Sequence, residues 1–162
     1  MVVMDNWSRK IIGFVVTPST VTGESLCGMF NKILSSGKMP KRLVHDHDPL
    51  FRFIRWTRNM DILEIEQIWS VPFFPLSDPF VERLIGTVRR DFLDRILFWN
   101  GSDLERKLEN YRKYHNQIRV HSGIDGQIPE NRYQSKPSIH KNPQDLRWKS
   151  YCHGLFNVPM AA

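Results

Sequence analysis

The chain has 162 residues, 41% of them hydrophobic and 12% aromatic, which suffices for one globular domain with a substantial core. No apolar run approaches about 18 residues, so no membrane-spanning helix is expected, and the opening is too short and too soon charged for a secretory signal. The net charge of +6 and a pI near 9.5 point to an anionic partner, with nucleic acid favoured over a membrane surface.

In chain order, residues 1–5 give a stub of strand ending on Asp5. Residues 10–16 read as a second strand rich in β-branched residues, and Trp7-Ser8-Arg9 is short enough for a hairpin link. Residues 18–23 are irregular, with room for a short third strand. A helix is expected over residues 23–36, with Leu26, Met29, Phe30, Ile33 and Leu34 inward and Gly37 and Pro40 as stop signals. Cys27 packs near it as a small apolar residue. Strand four is residues 43–46, ending on Asp46. Residues 49–59 suggest a helix with Leu50, Phe53, Ile54 and Trp56 inward, and residues 62–68 a fifth strand. Residues 70–77 hold Pro72 and Pro75 among aromatics and form a loop.

Asp78 suits a helix N-cap, and Pro79 suits the first helical position, where its missing N–H is no loss. Val81, Leu84, Ile85, Val88 and Phe92 then recur as one buried stripe. At about 100° per residue Glu82, Gly86 and Arg89 share its flank, with Arg83 and Arg90 further towards solvent. Ser102-Asp103-Leu104-Glu105 reads as a capping box, so the next helix should start at Asp103. Its inward positions are Leu104, Leu108, Tyr111, Tyr114 or His115, and Ile118, and residues 123–129 break it. The expected organisation is a core over residues 1–132 and an extended tail over 133–162, anchored by Trp148, Tyr151, Leu155 and Phe156.

Two strand-end aspartates and a helical glutamate, Asp5, Asp46 and Glu82, are a plausible cage for hard cations, which prefer oxygen ligands. A lone glutamate on an amphipathic helix is ordinarily solvated surface, so Glu82 gains weight only from the aspartates upstream. Asp48 is a rival ligand to Asp46. His45 and His47 flank Asp46 and could take a softer metal, but read better as strand-end neighbours. His115 and His121 have no cysteine pair beside them, and Cys27 and Cys152 make neither a disulfide framework nor a zinc pattern. Free thiols in a cytoplasmic protein are expected.

Thirty-five residues separate Asp46 from Glu82. With Asp5 upstream, this resembles the Asp, Asp, Glu pattern of retroviral integrases and, more closely, of integrase-core transposases of bacterial insertion sequences. Asp5-Asn6-Trp7-Ser8-Arg9-Lys10-Ile11-Ile12-Gly13 is similar to that family's D-x-x-S-R-x-I-x-G opening. Tyr114-His115-Asn116-Gln117-Ile118-Arg119-Val120-His121, followed by Pro129-Glu130, resembles its Y-N-x-x-R-x-H…T-P-x close. The chain departs from the family at His45, where a small or acidic residue is usual, and at Asp48, often glycine.

The resemblance implies an α/β, ribonuclease-H-like fold: a mixed five-stranded sheet flanked by helices, its first and fourth strands side by side so that Asp5 and Asp46 meet. It implies two Mg2+ or Mn2+ ions on Asp5, Asp46 and Glu82, DNA cleavage and strand transfer, transposon ends and target DNA as partners, and self-association. Arg83, Arg89 and Arg90 are the expected phosphate contacts, Arg89 foremost because it shares the face of Glu82. Family members place helix-turn-helix segments before the first catalytic strand, so an N-terminally truncated, marginally stable chain is expected. The alternatives are an inactive remnant that binds DNA or an intact transposase, and a standalone nuclease of the same fold, which the closing motif disfavours.

Overall fold

The computed structural model describes residues 1–35, 37, 39–70, 79–133 and 146–161. The elements run β1 (Val2–Met4), β2 (Ile11–Phe14), α1 (Gly23–Leu34), β3 (Arg42–His45), α2 (Ile54–Ile62), β4 (Glu66–Trp69), α3 (Pro79–Asp91), α4 (Gly101–Gln117), β5 (Leu146–Tyr151) and β6 (Phe156–Ala161), with short 3-10 turns between. The expected cap Asp78 and loop residues 71–77 lie outside the described residues.

β1 and β2 form the middle layer, and their alternation sends side chains to two cores. Val2 and Met4 pack with Ile11 against Leu84 and Val88 of α3, Phe92 just after it, and Leu108 and Tyr111 of α4. Met1 and Val3 turn the other way, towards Leu26, Phe30 and Leu34 of α1 and Trp56 and Met60 of α2. A strand covered on both faces reads as a continuous apolar run, as residues 1–4 do. Gly13 belongs to this packing, since a Cβ there would stand 2.9 Å from Ile33 Cγ2.

The five-stranded sheet expected from sequence is not hydrogen-bonded as one. Among the described residues the strands pair in three two-stranded ladders: β1 with β2 antiparallel, β3 with β4 parallel, and β5 with β6 antiparallel. No strand forms over residues 18–23, where Pro18 has no N–H to offer and Thr22 is already the N-cap of α1. β1 is only three residues long and slips register between Val3 and Met4. Val3 of β1 and Leu43 of β3 pack against the same α1–α2 core, and no ladder joins the two strands among the described residues.

Several helix details differ from expectation. Pro49–Arg52 is a 3-10 turn, so α2 starts at Ile54 and buries Trp56 and Met60, leaving Ile54 71% and Phe53 41% exposed. Ile62 closes α2 rather than opening a strand. α3 buries the narrow stripe Leu84, Val88 and Phe92, and Ile85 faces solvent. α4 begins earlier than the capping box suggests, because Asn100 is the N-cap, its side chain accepting from Asp103 N–H at 2.9 Å. Glu105 is thereby free for other work: it accepts from Val16 N–H at 3.0 Å and Lys32 Nζ at 3.1 Å, tying α1 and the segment after β2 to α4. Residues 146–161 fold back as a hairpin through Cys152, His153 and Gly154, all at positive φ. Tyr151, Leu155 and Phe156 anchor it to the α3–α4 core, whereas Trp148 is exposed.

Candidate functional site

Asp5 ends β1 and organises the turn into β2. Its N–H donates to Lys10 C=O at 2.8 Å, and its C=O accepts from Arg9 N–H at 2.8 Å. The carboxylate accepts from Ser8 Oγ at 2.5 Å and Ser8 N–H at 3.1 Å. Ser8 is fully buried, and its Oγ also accepts from Lys10 N–H at 3.2 Å. Aspartate and serine three apart are therefore what closes this turn, a local bonding pattern typical of both residues. Lys10 carries the turn on to Glu130 of the closing motif at 3.1 Å.

Asp46 follows β3 and is exposed. His45 before it is buried, its ring stacked on Phe51 and edge-on to Trp69, both at 4.3 Å between centroids, with Nδ1 donating to Asp46 C=O at 2.9 Å. His47 donates from Nε2 to Ser70 C=O at 2.7 Å. Asp48 caps the 3-10 turn, accepting from Leu50 N–H at 2.8 Å, and its own N–H donates to Asp46 Oδ1 at 3.2 Å. Both histidines and Asp48 thus have structural partners of their own.

Glu82, Arg83, Arg89 and Arg90 lie on the solvent side of α3. Arg89 is 77% exposed and only loosely paired, its Nε 3.9 Å from Asp94 Oδ1. The Arg90 guanidinium folds over Gly86, with Nη1 3.1 Å from where a Cβ would stand. The first turn of α3 meets the Asp5 turn directly, because the Arg9 guanidinium sits 3.2 Å above the Phe80 ring.

The structure therefore brings Asp5 and the start of the Glu82 helix against one another, with Asp46 at the end of a strand that shares a core with β1. Among the described residues no group of three or more His, Cys, Asp or Glu is gathered closely enough to hold a metal ion. The three carboxylates suit Mg2+ or Mn2+ by donor chemistry, but as placed here they do not form a closed cage.

The closing motif does work that the sequence does not reveal. Asn116 pairs with β2 as a strand mate would: Oδ1 accepts from Ile11 N–H at 2.9 Å and Nδ2 donates to Ile11 C=O at 2.8 Å. His115 and His121 lie ring against ring at a tilt of 54°, with centroids 4.3 Å apart. Burial first, and then His121, bring the His115 pKa down to about 3. Burial also lowers that of His121, despite a hydrogen bond to His115 C=O. Arg119 donates to Asp91 at 2.9 Å and to Tyr111 Oη at 3.3 Å, fixing α3 to α4. The only sequence signal for these roles is the motif itself.

Residues 63–129 match the model of the integrase core domain family. Solved structures agree in fold. The catalytic core domain of BIV integrase aligns with a TM-score of 0.63 at 20% identity over 82% of each chain. The HTLV-2 integrase catalytic core domain in complex with magnesium, in a dimeric form, gives 0.58 at 19% identity over 78% of each. A chain of the simian T-cell lymphotropic virus intasome gives 0.66 at 16% identity over 91% of this chain and 54% of its own. Residues 63–129 are thus similar to the integrase core domain, and the chain shares the ribonuclease-H-like fold of integrase catalytic cores.

An insertion element IS476 protein of 39.2 kDa from Xanthomonas euvesicatoria is 25% identical over 132 residues, 80% of this chain. The chain spans 37% of that relative's length.

Proposed function

We propose that the chain is the catalytic core of a DNA transposase, cutting a phosphodiester at a transposon end and joining the released 3′-hydroxyl to target DNA. The observation that carries this reading is the placement of Asp5 and Asp46 after β1 and β3 and of Glu82 early in α3, in an integrase-core fold. Mg2+ or Mn2+ held by these carboxylates would activate an attacking oxygen and stabilise the leaving one in an in-line displacement. The magnesium of the HTLV-2 core supports that choice of ion, and that core's dimeric form and the viral intasome support self-association and DNA as partners.

The protein's own contribution is position and charge. Arg83, Arg89 and Arg90 line the exposed side of the Glu82 helix and would hold phosphates without reading bases. No serine or tyrosine nucleophile is needed, and Ser8 is committed to its turn. A cytoplasmic setting with Cys27 and Cys152 as free thiols accords with this reading. Among the described residues no helix is long and apolar enough to cross a membrane.

A second reading, an inactive remnant that still binds DNA or an intact transposase, is favoured by one observation, the lack of a gathered three-carboxylate group among the described residues. Nicking of supercoiled DNA by the purified chain with Mn2+ separates the two. Weak nicking, lost in Asp46→Asn and Glu82→Gln, supports the enzyme. Nicking that survives both substitutions removes the carboxylates from the chemistry, and DNA binding with no nicking under any metal favours the remnant.

A further inference from the structure

Three guanidinium groups gather near Asp5, with Arg9 facing both Arg83 and Arg132. Arg9 stacks on Phe80, and Arg132 stacks on Trp7 with its Cζ 4.9 Å from the ring centroid. Arg83, one helical turn along from Phe80, completes the group. After burial, Arg132 and Arg83 are the neighbours that lower the Arg9 pKa, with Asp5 acting in the opposite sense. Nearby, Lys10 is already matched by Glu130. Among the described residues no carboxylate lies in ion-pair range of Arg83 or Arg132, and the buried Nε of Arg132 has no hydrogen-bond partner. Arg9 also holds a left-handed backbone, φ 64°, uncommon for a residue with a side chain, and donates to Asn6 C=O. Like charges and an orphaned donor are costly to keep together unless something anionic joins them.

We infer that Arg9, Arg83 and Arg132 form a clamp for one phosphodiester of the DNA backbone, set beside Asp5 by the opening turn, the start of α3 and the turn that carries Pro129 to Tyr133. The clamp rests on the nucleic-acid reading above but not on catalysis. Guanidinium groups present planar forks of donors that match phosphate oxygens, and the aromatic faces of Phe80 and Trp7 hold two of them in place. It differs from the Arg89–Arg90 end of α3, which lies two turns further along the helix.

The test is fluorescence anisotropy of the full chain with short fluorescein-labelled duplexes of unrelated sequence, in EDTA so that no cutting occurs, across a salt series. Arg9→Asn removes the charge while keeping a residue that accepts the left-handed backbone. Arg9→Asn and Arg132→Gln should each weaken binding by roughly five- to tenfold and cut the salt slope by about one ion, and the double variant by about two. Arg58→Ala, on an exposed face of α2, is the control. Circular dichroism identifies any variant that does not fold, and the exposed Arg83→Gln then reads the same loss. Folded variants with the wild-type salt slope overturn the clamp, whatever the chain cuts. Loss of slope in a chain that never nicks DNA upholds the clamp and sinks the catalytic reading instead.

Discussion

Asp5 illustrates how one side chain can serve a turn and a site together, since its bonds to Ser8 fix the carboxylate at the strand end. That position was legible, because an apolar run ending in aspartate needs no tertiary knowledge. The state of His115 was not, because it depends on burial among residues far away in sequence. Held neutral in the fold with a pKa of about 3, His115 binds its proton only when unfolded, where the ordinary value is 6.5. The unfolded state therefore gains protons first on acidification, and stability is lost as pH falls from about 6.5 towards 3, by up to ~1.4 kcal/mol per unit. Urea melts between about pH 6.5 and 4.5, above the main carboxylate range, should show this decline, and His115→Asn should flatten it. An unchanged slope in that variant would remove the buried imidazole as its cause. Arg89, exposed and weakly paired, belongs to the surface. Arg89→Ala should weaken binding to unrelated DNA sequences by similar factors and lower the salt slope by about one ion. A changed sequence preference at constant slope would count against a phosphate role.

Among the elements, α1 and α3 were readable because a burial stripe and the signal at one helix end are local properties: Leu26, Phe30 and Leu34 with Gly37 after α1, or Leu84, Val88 and Phe92 with Pro79 opening α3. The start of α4 was misread because two overlapping cap patterns compete. Asn100 takes the cap, and Asp103, buried beside Lys107 and Arg106, is held well below the usual carboxylate range by their hydrogen bonds. The ladders were harder, since pairing is decided between segments: β1 and β3 pack against one core but, among the described residues, share no ladder. Asn116 is the sharpest case, standing in for a strand beside Ile11 from 105 residues away. Asn116→Ala would leave the N–H and C=O of a fully buried residue unpaired, and should cost about 2–4 kcal/mol in denaturant melts. A loss below about 0.5 kcal/mol would mean that water replaces the amide.

For the whole molecule, composition bounded the class and the spacing of Asp5, Asp46 and Glu82 suggested the family, which the integrase core match over residues 63–129 supports independently. What spacing cannot convey is whether three carboxylates on separate elements close to metal-binding distance. That depends on how α3, the Asp5 turn and β3 approach one another, and mutual repulsion of the carboxylates opposes closure until a cation offsets it. Closure on the ion is read out by a crystal structure with Mn2+, through anomalous differences at the manganese edge. Manganese coordinated by oxygens of Asp5, Asp46 and Glu82 at about 2.1–2.2 Å is expected, with Asp48 still on its cap. Glu82 more than about 12 Å from both aspartates, or manganese on Asp48 in place of Asp46, would contradict it.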